Sequence, residues 1–188
     1  MKFDLQDKDT ILLAAKEINK YDKNLNIIIN NAGLIHNKLF QLTKLEEFYQ
    51  TFEVNFFNQI LFVQSLLRNI NKSKNGSIVF LSSSAAQDGN IGRAAYSSSK
   101  AALAAFAKVL SRELGNQNVR VNTVSPGLTQ TDMMTGSTSK EYLEKIVKEI
   151  PLNRIADPED ISKLILYLSS DLSKYITGQD LRIDGGLK

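Results

Sequence analysis

The chain is predicted to be an α/β protein with a doubly wound, mainly parallel sheet. Short β-branched runs alternate with helical patterns, each run is bounded by Gly, Asn, Ser or Pro, and no repeat or linker interrupts the series. The first helical pattern, Lys8–Lys20, places Ile11, Leu12, Ala15 and Ile18 at helical spacing. Leu25–Asn30 (LNIIIN) then reads as a buried strand running into the turn Asn-Asn-Ala-Gly. A long helical pattern, Lys44–Asn69, leads to the strand Ser77–Leu81, and the Ala-rich pattern Arg93–Leu114 leads to the strand Val119–Val124. Gly127–Ser139, rich in Thr, Ser, Gly and Met, is irregular and follows a strand, the position where such sheets meet ligands. Helical patterns at Lys140–Ile150 and Pro158–Ser170 follow, and Asp180–Ile183 is the last strand. Asp157-Pro158-Glu159 is a helix start, since Asp caps, Pro suits the first turn and Glu favours the positive end of the dipole.

Length and composition agree with one domain over residues 1–188 and narrow its chemistry. Basic and acidic residues number 23 and 20, and the cations are scattered rather than striped, which argues against a nucleic-acid partner. There is no cysteine, which excludes disulfides, thiolate metal sites and cysteine nucleophiles. A single histidine, His36, leaves neither a Ser-His-Asp triad nor a histidine metal site, and no metal is expected. No apolar run is long enough for a membrane helix and no leader pattern opens the chain, so a cytoplasmic protein without a membrane partner is expected.

The candidate chemistry begins with Tyr96 and Lys100, four apart in a helical pattern, so that both side chains share one face. A phenol is a poor acid at neutral pH, and a neighbouring ammonium would stabilise its phenolate enough for proton transfer to a carbonyl. Taken alone, the bare spacing fits a solvated helix face better. Ser83 stands just past the strand Ser77–Leu81, where a hydroxyl can reach the oxygen that Tyr96 protonates; the alternative is a polar strand end. Asn55, a poor helix former among Phe52, Val54, Phe56 and Phe57, either holds a kink and a water at a site or faces solvent, the reading that periodicity favours. Leu143, Ile146, Val147 and Ile150 form a stripe that serves as core or as a lid.

Asn30-Asn31-Ala32-Gly33, Asn55, Ser83, Tyr96-Ser97-Ser98-Ser99-Lys100, Pro126-Gly127 with Thr131, and the ending Thr177–Gly186 resemble the short-chain dehydrogenase/reductase family in order and spacing. The likeness is greatest to its 3-oxoacyl-(acyl-carrier-protein) reductases. The resemblance implies a Rossmann-like fold and an NAD(P)-dependent oxidoreductase that interconverts a ketone and a secondary alcohol. The substrate would be a 3-oxoacyl thioester on acyl-carrier protein, or alternatively a sugar or other small ketone. It implies Tyr96 as general acid/base, Lys100 lowering its pKa and holding the nicotinamide ribose, Ser83 orienting the carbonyl, and Asn55 anchoring a relay water. It further implies that Asn30, Ala32 and Gly33 line the cofactor and that Pro126, Gly127, Thr129 and Thr131 wrap its nicotinamide end. Asp4 and Leu5 would meet the adenine. The cofactor would be NADP or NAD, with NADPH preferred, and the assembly a tetramer or dimer built on Lys44–Asn69 and Arg93–Leu114. Met133 and Met134 would make the substrate loop apolar, and Lys74 would face an acidic carrier, with Gln117 where a second cation is expected.

The chain departs from the family at its start. The first β-α-β unit, with its glycine-rich turn for the pyrophosphate, has no counterpart: the first glycine is Gly33, and Met1–Leu5 matches the third strand. The expectation is therefore an N-terminally truncated domain lacking that unit, with Leu25–Asn30 as an exposed edge. Such a chain is either an enzyme or an inactive remnant that binds a full-length relative.

Overall fold

The computed structural model describes residues 2–21, 24–70, 72, 75–135 and 140–187. Its sheet has four parallel strands in the order β1 (Ile27–Asn30), β2 (Gly76–Leu81), β3 (Val119–Pro126) and β4 (Asp180–Ile183). Eight α-helices are described: α1 (Lys8–Lys20), α2 (Leu45–Phe52), α3 (Asn58–Ile70), α4 (Ala85–Asp88), α5 (Ala94–Leu114), α6 (Asp132–Thr135), α7 (Lys140–Glu149) and α8 (Pro158–Ser169). Each strand return crosses through helix, as parallel pairing requires.

Alternation along the strands sorts the core into two layers. Ile28, Ile78, Phe80 and Val121 point to one side, where Ala15 of α1, Leu66 and Ile70 of α3, and Leu103 and Leu110 of α5 meet them. Val79, Leu81 and Val124 point to the other, against Ile161 and Leu168 of α8. Phe80 is wholly buried and meets Phe106 edge-on at 6.0 Å, which locks α5 over the sheet centre. On the far face Arg120 donates to the Leu168 carbonyl at 2.8 Å and the Ser170 carbonyl at 3.1 Å, placing a cation on the negative end of α8.

The cover is uneven. Ile27 and Ile29 of β1 point to the α8 side and are 43% and 48% exposed, and a groove of about 340 Å³ runs from them to Ile165 and Leu166. The outer edge of β1 has no neighbouring strand among the described residues.

Two expectations are corrected. The helix expected over Lys44–Asn69 is interrupted by a π-helical stretch at Glu53–Phe57, because Asn55 is drawn inward by hydrogen bonds to another loop and one residue must be accommodated in a wider turn. The strand expected at Met1–Leu5 does not form at residues 2–5: the chain turns there, Asp7 N–H donating to the Asp4 carbonyl at 3.1 Å, since no strand lies alongside to pair with it. Phe3 instead stacks on Phe62 of α3, ring centroids 4.8 Å apart.

Candidate active site

The C-terminal ends of the strands open into a cleft of about 610 Å³, between the loops after β1, β2 and β3 and the helices α5, α7 and α8. Parallel sheets place ligand groups at this edge. Helix α5 supplies Tyr96 and Lys100. Tyr96 is 9% exposed and Lys100 3% exposed, and the Lys100 Nζ lies 5.9 Å from the Tyr96 ring centre. Two bonds fasten this helix to the strand end: Ser82 Oγ donates to the Lys100 carbonyl at 3.0 Å, and Lys100 Nζ donates to the Leu81 carbonyl at 2.6 Å.

Burial pushes the Tyr96 phenol above its ordinary value; a hydrogen bond from Ser83 and the charge of Arg93 oppose that rise. Burial also lowers the Lys100 ammonium to about 8. The Lys100 ammonium donates to the Leu81 carbonyl in this structure.

Asn55 does not face solvent. It is fully buried behind the cleft wall, its Oδ1 accepting from Leu34 N–H at 2.7 Å and its Nδ2 donating to the Leu34 carbonyl at 2.8 Å and to Ser99 Oγ at 3.0 Å. Periodicity missed this because the π-helical turn rotates the residue off the regular face. The amide thus clamps the loop after β1 to α5. Gly33, in that loop, comes so close that a Cβ would stand 3.3 Å from Lys100 Nζ and 3.4 Å from Asn55 Oδ1. Asn55→Ala removes three bonds and strands the Leu34 amide, so a loss of roughly 2–3 kcal/mol is expected. Urea denaturation checks it, and unchanged stability would show that the loop is held by other contacts.

Of the residues singled out in the sequence, Ala32, Gly33, Ser83, Tyr96, Lys100, Pro126, Gly127, Thr129 and Thr131 line the cleft. Gly127 is packed so tightly that a Cβ would meet the Asp184 Cβ at 2.6 Å, so the loop after β3 is seated directly on the end of β4. Thr129 pairs with Ala156 in an isolated parallel bridge, which orders the floor of the cleft. Asp4, Leu5 and Asn30 are not brought there. Asp4 accepts from Gln6 N–H at 2.9 Å in the turn, the Leu5 carbonyl accepts from Asn58 Nδ2 at 2.6 Å, and Asn30 is buried at the end of β1. His36 lies outside the lining as well, and Lys74 lies outside the described residues. Gln117 is exposed. Met133, Met134 and Ile146 line the cleft, whereas Ile150 of the same stripe is core, 2% exposed.

Three lining residues went unnoticed in the sequence: Asp88, Asn90 and Arg93. Arg93 stands one helical turn before Tyr96, a spacing that could have flagged it. Asp88 is held by Arg182 of β4 in a two-pronged ion pair of 2.5 and 2.8 Å, and Arg182 also bonds Asp184. That contact ties the helix after Ser83 to the last strand. Among the described residues no group of acidic, His or Cys side chains is arranged to hold a metal, and no helix is long and apolar enough to cross a membrane.

A parallel sheet open at its C-terminal edge, with Tyr96 and Lys100 on one helix and Ser83 on the facing strand end, is the arrangement of a dehydrogenase/reductase. A family model described as enoyl-(acyl carrier protein) reductase matches residues 1–188, and the chain belongs to the short-chain dehydrogenase/reductase family, an oxidoreductase family. It is 37% identical over 187 residues to the 3-oxoacyl-[acyl-carrier-protein] reductase FabG of Aquifex aeolicus, covering 100% of this chain and 75% of that relative. It is 36% identical over 182 residues to FabG of Thermotoga maritima, covering 96% of the chain and 73% of the relative. To the acetoacetyl-CoA reductase of an Acinetobacter species it is 33% identical over 184 residues, covering 98% and 74%. The chain thus spans about three-quarters of the length of these relatives.

Proposed function

We propose that this site reduces the 3-oxo group of an acyl thioester to the 3-hydroxy form, with NADPH preferred over NADH as the hydride source. The observation that carries the reading is that Ser83, the buried Tyr96 and Lys100 line one cleft at the C-terminal ends of the strands. The cleft residues that would meet the nicotinamide half of the cofactor are Gly33 in the loop after β1 and Pro126, Gly127, Thr129 and Thr131 at the end of β3 and beyond, all of which line the cleft. The cofactor supplies hydride to the carbonyl carbon. Tyr96 gives its proton to the carbonyl oxygen, Ser83 orients that oxygen, and Lys100 stabilises the phenolate that remains and holds the ribose. Asn55 fixes the loop after β1 and, in this reading, a water that returns the proton. Met133, Met134 and Ile146 present an apolar wall to the acyl chain.

The names of the relatives favour a substrate carried on acyl-carrier protein. Exposed Leu45 and Tyr49 of α2 and Val109 of α5 favour burial of these helices between copies of the chain. The test is to follow nicotinamide absorbance with the purified chain, NADPH and acetoacetyl thioester, beside a simple ketone and a ketose. Faster turnover of either of the latter, or no turnover by a folded chain, refutes the assignment. The second outcome favours a second reading, that the chain acts by binding a relative. The open edge of β1 and the uncovered Ile27 and Ile29 support it.

A further inference from the structure

We infer that Arg93 selects the substrate of this cleft by binding a negatively charged group, a carboxylate or a phosphate, on the molecule whose carbonyl meets Tyr96. The inference rests on the reductase reading only for the identity of that carbonyl. The ionisable residues lining the cleft, Tyr96 apart, are Asp88, Arg93 and Lys100. Two of these are committed. Asp88 is neutralised by Arg182 at 2.5 and 2.8 Å, and Lys100 donates to the Leu81 carbonyl at 2.6 Å.

Arg93 is different. Its Nε donates to the Asn37 side chain at 3.2 Å, which fixes the guanidinium at the cleft wall, and no carboxylate lies within salt-bridge distance of it among the described residues. Glu47, on the helix after that loop, is held by Lys38 at 3.1 Å. The backbone carries the same platform: Lys38 N–H donates to the Gly92 carbonyl at 2.8 Å, so the loop after β1 and the turn before α5 move as one. A half-buried guanidinium with its two terminal nitrogens uncommitted is a fork matched to planar or tetrahedral oxyanions. An anion there would compensate the desolvated charge and, lying one helical turn from Tyr96, would fix how far along the substrate the reacting carbonyl sits.

Two sources of that anion are distinguishable: a carboxylate on the acyl part, or the phosphate of a pantetheine arm. Three ligands separate them, acetoacetyl-pantetheine, its 4′-phosphate, and the pantetheine thioester of 3-oxoglutarate, whose far end is a carboxylate. Their dissociation constants are measured by calorimetry on the full chain and on Arg93→Gln and Arg93→Lys, with thermal unfolding run on each protein. At low salt, one anionic ligand is expected to bind about tenfold more tightly than the neutral one, and the preference should fall with added salt. Arg93→Gln should abolish the preference, and Arg93→Lys should retain part of it. Equal affinities in the parent chain, a preference surviving in Arg93→Gln, or no binding of any of the three overturns the inference. Charge preference without nicotinamide oxidation would sink the reductase reading alone; turnover without charge preference would sink this one alone.

Discussion

A Tyr96→Phe chain is expected to turn over a 3-oxoacyl thioester about 10²–10⁴-fold more slowly than the parent while binding it equally well. The substitution deletes one oxygen and leaves the ring that fills the wall. What disappears is the one phenol of the cleft lining among the described residues. Because burial holds the phenol above its ordinary value, the proton is present at neutral pH and ready to be given to a carbonyl; the cost falls on the phenolate left behind. Ser83 and Arg93 lower that cost in the free protein, and a positive Lys100 lowers it further as the charge forms. The loss should therefore appear in kcat with KM little changed, and the pH profile should lose its alkaline limb. Turnover within an order of magnitude of the parent would assign the proton to another group.

Lys100→Met is expected to raise stability and to stop turnover. Burial lowers the Lys100 ammonium from 10.5 to about 8. Between those two values the unfolded chain holds a proton that the native chain has released, so native stability rises with pH across that window. Below about pH 8 the folded protein carries the buried charge at a cost of roughly 3 kcal/mol. Methionine removes the charge and keeps the length of the side chain, at the loss of the bond to the Leu81 carbonyl, worth about 1 kcal/mol. A net gain of roughly 1–2 kcal/mol at pH 7 should follow, turning into a small deficit near pH 10, where the parent lysine is already largely neutral. Denaturant titrations at the two pH values check the inversion. A variant less stable than the parent at pH 7 would mean that the ammonium is better solvated than its 3% exposure implies. Turnover should fall at least 10²-fold, because the ammonium proposed to stabilise the phenolate and to hold the ribose is gone.

That these two side chains share a face was readable from the sequence because an i, i+4 pair is fixed by helix geometry; that the face is buried was not, since the bare spacing reads as solvated. The strands were equally readable: Asp180–Ile183 forms as expected, and the others shift by only a residue or two at their ends. Local patterning suffices where a β-branched run is bounded by turn residues. Asn55 was different. Its environment is decided by Leu34 and Ser99, far away in sequence, and by a π-helical turn that periodicity does not register. Asp4 and Leu5 were placed by likeness to a sheet position, but a strand exists only where a neighbour pairs with it. Arg93 and Asp88 escaped for a related reason: a charged residue near a loop reads as solvated until its partners, or their absence, are seen in space.

The ion pair between Asp88 and Arg182 joins positions 94 residues apart. On a ribosome that separation is a delay. Asn55, Tyr96 and Lys100 emerge and can pack on β1, β2 and β3 while the helix that follows Ser83 still waits for β4. At ordinary rates of synthesis the wait lasts roughly 5–20 s. A nascent chain arrested before residue 180 would have Ser83 already fastened to β3 through its neighbours while Asp88 still lacked its partner, so the rim of the cleft beyond Ser83 is finished by the last strand to be made.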